Sequence, residues 1–240
     1  MFKDVPVDAW YSEALRWCVE NGIMYGFPDG TFKPDEPVTR AQIATLLYLK
    51  AKRDGDFSDV APTVRQSVVT ITTPAGLGSG AYVDQQAFFD DAGYILTNNH
   101  VVGDFSEVTI IKDGSPNYLG KVVKKDSYFD LALVKVAVKK PILKLAKRAA
   151  RYGEAVGLIG SPAGHTDTLS VGQVSHDDRS EGRNFQTNAL INPGNSGGPV
   201  FNEYGDLVGV VVARWFDAQK QIVGLGYGIK YEHVKRFLNL

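Results

Sequence analysis

The spacing of apolar positions changes character near Lys50. Before it, apolar residues recur three and four apart, the period of a helix with one buried face. Asp8 is placed to cap a helix over residues 9–20, with Trp10, Ala14, Trp17 and Cys18 on one face and Asn21-Gly22 as its stop. The stretch Tyr25–Pro34 reads as a loop: in Pro28-Asp29-Gly30 the proline presets φ and the glycine accepts left-handed backbone. A second helix is predicted after Thr39, turning Ile43, Ala44, Leu46 and Leu47 toward the first, and Thr39 and Gln42 have the spacing of a capping box. The charged segment Lys50–Gly55 reads as a linker, so residues 1–55 form a small helical module.

From residue 56 onward, short apolar or alternating runs are separated by Gly, Pro, Asn and Asp, the pattern of strands joined by turns. The predicted strands are Ser67–Thr72, Gly78–Val83, Tyr94–Thr97, Glu107–Lys112, Tyr118–Lys125, Leu131–Val136, Ala155–Ile159, Leu169–Val174, Phe185–Thr187, Pro199–Phe201, Leu207–Arg214 and Gly224–Ile229. That many short strands, with no helices between them, predict a mainly β unit over 56–240, built as one or two barrels rather than as βαβ repeats. Val234, Phe237 and Leu238 stand at helical spacing and predict a closing helix.

Composition narrows the function classes. A net charge of -1 provides no field to draw nucleic acid or an anionic membrane. The basic cluster Lys139, Lys140, Lys144, Lys147, Arg148 and Arg151 reads as a solvated loop. No run of about 18 apolar residues marks a membrane-spanning helix. Met1–Asp4 lacks the apolar stretch of a signal peptide, which leaves a cytoplasmic location open. The lone Cys18 cannot form an internal disulfide and reads as a packed thiol.

The richest candidate for chemistry is Pro193-Gly194-Asn195-Ser196-Gly197-Gly198-Pro199. Gly194 lets the backbone turn so that its N–H and that of Ser196 can face one small space, and Gly197-Gly198 leaves Ser196 Oγ unobstructed. Of the four histidines, His165, His176 and His233 lie in polar loops or the final helix, whereas His100 stands where a strand ends and the chain turns. Asp130 begins an apolar strand, so its carboxylate needs a hydrogen-bonding partner, and an imidazole N–H suits it; Asp126 and Asp104 are alternative acids.

The order His100, Asp130, Ser196, with the islands around it, resembles the HtrA/Deg branch of trypsin-like serine proteases. The resemblance rests on Gly78-Ser79-Gly80, Gly93–Val102, Asp130-Leu131-Ala132-Leu133, Gly160-Ser161-Pro162, Gln186–Ala189, Ile191–Pro199 and Gly205–Gly209. It implies two six-stranded β-barrels of the chymotrypsin-like type with a C-terminal helix. It also implies peptide-bond hydrolysis through a His100-Asp130-Ser196 triad, acting on unfolded or extended polypeptide and needing no metal or cofactor. Gly194 and Ser196 N–H groups would form the oxyanion hole, with Asn195 shaping the turn. Digestive relatives place an aspartate before the serine and pair it with a new N-terminus; Asn195 cannot, so no zymogen cleavage is expected. Leu190, Ile191, Val212, Ala213 and Arg214 would form the specificity pocket, favouring small or medium apolar side chains. Arg214, where an apolar residue is usual, and Asn188, where aspartate is usual, depart from the pattern. Relatives often carry C-terminal PDZ domains and form homo-trimers; no PDZ docking is expected in a chain ending at Leu240.

The N-terminal module resembles a surface-layer homology (SLH) motif through Phe2-Lys3-Asp4-Val5, Trp10, Gly22-Ile23, Gly26–Pro34 and Thr39-Arg40-Ala41-Gln42. This implies a bacterial, extracellular or surface-associated protein holding anionic cell-wall polysaccharide through Arg40 and the loop at Asp29 and Gly30. Arg suits such a ligand because its fork can bond both carboxylate oxygens. The motif is expected once here, and it usually occurs in three copies. The alternatives are a wall-binding protein whose protease-like domain is inert, and an intracellular protease whose first module contacts proteins.

Overall fold

Twelve strands among the described residues close into two barrels. The computed structural model describes residues 2–20, 23–53, 56–84, 92–138, 141–212 and 225–240, with the backbone alone for 48–53. The chain divides into two compact units, residues 1–51 and 52–240.

In the first unit, helices α1 (Ser12–Glu20) and α2 (Arg40–Arg53) flank a strapped loop. Asp4 Oδ1 and Oδ2 accept the N–H groups of Phe32 and Lys33 at 2.8 and 2.7 Å. Desolvation opposes ionisation of Asp4, but these two donors outweigh it and hold its carboxyl below the usual range. Phe2 stacks on Phe32 with centroids 5.3 Å apart. A Cβ at Gly26 would fall 1.9 Å from the Phe2 ring, so that position needs glycine. The capping box is present: Gln42 N–H donates to Thr39 Oγ1 at 3.2 Å, and Thr39 N–H donates to Gln42 Oε1 at 2.8 Å.

Three expectations for this unit need correcting. Helix α1 starts at Ser12, because turns through Ala9 N–H to Pro6 O and Ser12 N–H to Ala9 O occupy the preceding residues, which sets Asp8 four positions ahead of the helix rather than at its cap. Val5 and Leu15 are the buried hydrophobic side chains of the described residues here, while Trp10 is 94% and Trp17 52% exposed and Cys18 is only partly covered. Ile43, Leu46 and Leu47 are exposed as well. A unit this short cannot enclose every apolar face that its helical period creates. The expected linker is helical through Arg53, and Asn21, Gly22, Asp54 and Gly55 lie outside the described residues.

The second unit opens with helix α3 (Ala61–Ser67), which the apolar pattern does not predict. The first barrel follows: β1 (Val68–Thr73), β2 (Gly76–Tyr82), β3 (Gly93–Thr97), helix α4 (Asn99–Val102), β4 (Glu107–Ile111), β5 (Tyr118–Asp126) and β6 (Leu131–Val136). The second comprises β7 (Ala155–Gly160), β8 (Thr168–Arg179), β9 (Asn184–Thr187), β10 (Pro199–Phe201), β11 (Leu207–Val212) and β12 (Gly226–Lys230), and helix α5 (Tyr231–Leu238) closes the chain. The strand orders are β1-β2-β3-β6-β5-β4 and β10-β11-β12-β9-β8-β7, with antiparallel neighbours throughout. β8 continues to Arg179, past the predicted Val174, because bulged pairing to β9 carries its polar end.

Each barrel has its own interior. Val69, Ile71, Ile95, Ile110 and Val134 fill the first, and Val156, Leu158, Val200, Val208 and Val211 the second. A third cluster joins them, with Phe57, Val64, Leu96, Leu133, Ile159, Phe201 and Phe237 buried together. The seam between the barrels is therefore packed, and both can present loops to one cleft. Arg148, in the basic segment, is forked on Glu154 at 2.7 and 2.9 Å, while Lys139 and Lys140 lie outside the described residues.

Candidate active site

β3 ends at Thr97, paired with Ala132 of β6. Beyond it the chain turns at the extended Asn98 into α4, which carries His100. The same register sets Asp130, two residues before Ala132, beside this turn. Asp130 lies in the left-handed region at φ 57°, uncommon outside glycine, and four bonds hold it there. Its carbonyl accepts Asn99 N–H at 3.2 Å and Asn98 Nδ2 at 3.0 Å. Its carboxylate accepts His100 N–H at 2.9 Å through Oδ1, and Oδ2 lies 2.7 Å from His100 Nδ1. A neutral imidazole so placed carries its proton on Nδ1 and leaves Nε2 as a base facing away from the carboxylate.

Asp126, His176 and His233 are engaged elsewhere, and Asp104 stands in solvent. Asp126 accepts the N–H groups of Tyr128 and Phe129, both at 3.0 Å. Asp104 is fully exposed. His176 Nδ1 accepts Asp178 N–H, and His233 stacks on Phe129 and donates from Nε2 to Gly182 O.

Ser196 sits in a turn held by carbonyls. Pro193 O accepts Ala163 N–H at 3.0 Å, and Asn195 O accepts Gly198 N–H at 3.0 Å. The C=O and N–H of a trans peptide point in opposite directions. Fixing the two carbonyls therefore aims the N–H groups of Gly194 and Ser196 the other way, and neither has an acceptor among the described residues. Asn195 N–H, by contrast, is committed to Asn192 O at 3.0 Å, so Asn195 shapes the turn without offering a donor. Gly194 (φ 104°) and Gly197 (φ 85°) adopt backbone that suits glycine, and a Cβ at Gly194 would meet Ser161 O at 2.2 Å.

His100, Gly194 and Ser196 line one cleft of about 280 Å³ with Thr73, Ala75, Gly76, Leu77, Val101, Asn192 and Pro193. Ser196 Oγ makes no hydrogen bond to His100 or to another group among the described residues, a looseness common in sites without bound substrate. The expected pocket residues do not line this cleft. Leu190 is 55% exposed, Ile191 is buried against Gly226, and Val212 is half-buried. Ala213 and Arg214 lie outside the described residues. Asn188, the other departure, holds its loop as a carboxylate would, with Oδ1 accepting Gln173 N–H at 2.7 Å.

Two residues of the site carry no signal of their own in the sequence. Leu77, near the start of β2, walls the cleft beside Pro193 and Gly194; the run Thr73-Pro74-Ala75-Gly76 marks a turn but not its neighbour. Ser79 is fully buried and bonded on every side. Its N–H donates to Ser196 O at 2.7 Å, its Oγ donates to Gly194 O at 2.7 Å and accepts Ser161 N–H at 2.9 Å, and its carbonyl accepts Thr97 Oγ1 at 2.7 Å.

Residues 78–210, more than half of the chain, match the trypsin-like peptidase domain family. The chain belongs to that family. Residues 2–44 of this trypsin-like peptidase match the S-layer homology domain. A probable periplasmic serine endoprotease, DegP-like, from Pseudomonas putida (strain GB-1) is 38% identical over 160 residues, covering 64% of this chain and 32% of the relative. The putative serine protease HhoA of Synechocystis is 33% identical over 178 residues, 69% of this chain and 43% of the relative. The chain thus spans less than half the length of these curated relatives. The crystal structure of the serine endoprotease from Yersinia pestis superposes with a TM-score of 0.62 at 26% identity, covering 85% of this chain and 67% of that one. A Mycobacterium tuberculosis structure in an inactive form, at 24% identity and a TM-score of 0.63 over 75% of this chain and 88% of its own, shows the same fold.

In the S-layer homology match, Asp29 is occupied in shaping its own turn. Its Oδ1 accepts the hydroxyl and N–H of Thr31 at 2.6 and 2.9 Å, which hold its carboxyl below the usual range. Gly30 provides the turn's positive φ of 83°, and Arg40 is exposed at the start of α2. Among the described residues no helix is long and apolar enough to cross a membrane.

Proposed function

We propose that this trypsin-like peptidase is a serine endopeptidase acting through Ser196, His100 and Asp130. The reading is carried by one observation: an imidazole bonded to a partly covered carboxylate at 2.7 Å shares a cleft with a serine whose turn offers two N–H donors without an acceptor among the described residues. Ser196 Oγ adds to the peptide carbonyl while its proton passes to His100 Nε2. Asp130 keeps the imidazole in the required tautomer and stabilises the imidazolium. The N–H groups of Gly194 and Ser196 receive the oxyanion, each donor contributing about 3–4 kcal/mol in the transition state. Collapse expels the amine, protonated by His100, and water then releases the acyl group by the reverse transfers.

The substrate class is extended polypeptide, and Leu190, Ile191, Val212, Ala213 and Arg214 remain the proposed pocket for the residue before the scissile bond. No zymogen cleavage is needed. Asn195 is 1% exposed and its Oδ1 has no partner among the described residues, so a carboxylate there would be a buried charge without a partner among them, which the neutral amide avoids. The S-layer homology match supports tethering to anionic cell-wall polysaccharide through exposed Arg40, with Gly30 and Asp29 shaping the loop, and hence a surface location.

The deciding experiment is casein turnover by the wild type and by Ser196→Ala, with an expected loss on the order of a millionfold. Equal rates, or none in either protein, would favour a wall-binding protein with an inert domain. Sedimentation with purified cell wall, with and without Arg40→Ala, tests the tether; equal retention of the two proteins counts against Arg40.

A further inference from the structure

The loop between β7 and β8 contains two non-glycine residues in the left-handed region, Ala163 (φ 51°) and Asp167 (φ 56°). Such backbone persists only where neighbours hold it, and here both ends of the loop are held from the other barrel. At the loop's start, Ser161 Oγ lies 2.5 Å from Thr70 Oγ1 of β1, and Ser161 N–H donates to Ser79 Oγ of β2. At its end, Asp167 meets Lys112, the residue after β4: Lys112 Nζ lies 3.1 and 3.3 Å from the two carboxylate oxygens and donates to Arg65 O of α3 at 2.8 Å. Thr166 Oγ1 donates to Asp113 Oδ2 at 2.6 Å. The Lys112 and Asp167 side chains are 13% and 18% exposed, so solvent and salt screen this pair less than a surface pair. Midway along the loop, Ala163 N–H holds Pro193 O, the carbonyl whose fixing turns Gly194 N–H into the cleft.

We propose that Lys112 and Asp167 are positioning residues for the oxyanion turn. The ion pair from the first barrel holds the loop of the second, and the loop, through Ala163 N–H, sets the peptide between Pro193 and Gly194. Neither side chain touches substrate. Their effect reaches catalysis through the orientation of one N–H, so it falls on the chemical step rather than on substrate capture. The inference rests on the hydrolase reading of the site, and it adds to that reading a device across the seam: the barrel that carries His100 and Asp130 also decides whether the turn carrying Ser196 is competent.

The test uses the full chain with Lys112→Met, Asp167→Asn, the double variant and Lys112→Arg. Peptide-level hydrogen exchange and steady-state hydrolysis are measured on each. Exchange over residues 161–168 and 190–198 is expected to accelerate in the two single variants while the barrel strands keep their protection. Turnover (kcat) should fall about tenfold to a hundredfold with KM changed less than about twofold. The double variant should fall well short of the sum of the two single losses, since both remove the Lys112–Asp167 pair, while each also loses a contact of its own: Lys112 with Arg65 O, and Asp167 with the Arg65 guanidinium 3.9 Å away; Lys112→Arg should retain most activity. Asp167→Gly relieves the left-handed backbone without restoring the carboxylate, so it should also lose turnover; wild-type turnover in that variant would show that the ion pair is dispensable. Unchanged exchange over 190–198 in Lys112→Met and Asp167→Asn overturns the clamp, whatever the activity. Faster exchange with kcat unchanged overturns its positioning role. A wild type without Ser196-dependent turnover sinks the hydrolase reading instead, a result the exchange measurement does not depend on.

Discussion

The hydroxyl of Ser79 donates to the carbonyl oxygen of Gly194 at 2.7 Å, and the Ser79 N–H reaches the Ser196 carbonyl at the same distance. One buried residue of the first barrel thus grips the Ser196 turn of the second on both sides of Asn195. The turn's geometry is set across the seam and not by its own glycines alone.

Ser79→Ala tests that grip. It removes one hydroxyl and leaves two buried groups, Gly194 O and Ser161 N–H, without their partner. An unsatisfied buried polar group costs about 1–3 kcal/mol. The expected outcome is a lower unfolding midpoint together with a fall in kcat of about tenfold or more, read by thermal denaturation and by peptide hydrolysis. A variant that loses stability but keeps its kcat would show that the Ser79 N–H holds the turn by itself.

Asp130→Asn separates orientation from folding. Asparagine tolerates the left-handed region almost as readily as any residue but glycine, so the φ of 57° is no obstacle to the fold. Its carbonyl bonds to Asn98 and Asn99 come from the backbone and survive. What changes is the partner of His100 Nδ1: an amide that presents N–H there forces the wrong tautomer. Turnover should fall by about four orders of magnitude with little change in melting temperature. Retention of turnover within tenfold would remove Asp130 from the proposed mechanism.

Gly197→Ala probes the other side of the serine. The residue has φ 85°, and a Cβ there would lie 2.2 Å from Ser79 O and 2.3 Å from Thr97 Oγ1. Both contacts belong to buried groups that are already hydrogen-bonded, so neither can retreat cheaply. Overpacking of this kind typically costs about 1–3 kcal/mol. Calorimetry should show that loss, and active-site labelling with a serine-reactive phosphonate should be slower than in the wild type.

These relationships mark where sequence reasoning reaches its limit. The strands are legible because β3 and β6 are mainly apolar runs and their boundaries carry Gly, Asn and Asp. His100 and Asp130 are legible because a polar residue at the end of an apolar strand needs a partner. Ser79 is not, since the predicted strand Gly78–Val83 names no partner for a buried hydroxyl, and only the packing of one barrel on the other reveals four bonds to it. Helix α3 escapes notice because seven residues are too few to display a period, and the packing of Val64 makes it helical. The reverse error occurs at Trp10 and Trp17: a helical stripe predicts a buried face only where something exists to cover it.

Two carboxylates should respond to pH in opposite senses. Burial raises the pKa of Asp206 above its ordinary 3.8, with Lys144 and Lys147 only partly offsetting it. The folded state then binds more protons than the unfolded one between those two values, so stability falls as pH rises through that window and stays reduced above it. Asp206→Asn removes the partly buried charge, while the backbone bonds of this residue with Asn202 persist. It should therefore raise the melting temperature at pH 7, and the advantage should vanish below the ordinary carboxylate range. Glu154 is the counterpart. Burial opposes its ionisation, but the Arg148 fork and Arg151 N–H outweigh this and lower its pKa. Its stabilisation is present above the ordinary value of 4.5 and is lost as pH falls through the lowered one. Glu154→Gln should cost stability at pH 7, by at most about 1 kcal/mol because the pair is partly exposed, and should converge with the wild type in acid. Melting curves of both variants from pH 3 to pH 7 are expected to diverge from the wild type in opposite directions; a shift of the same sign in both would contradict the placement of one of these groups.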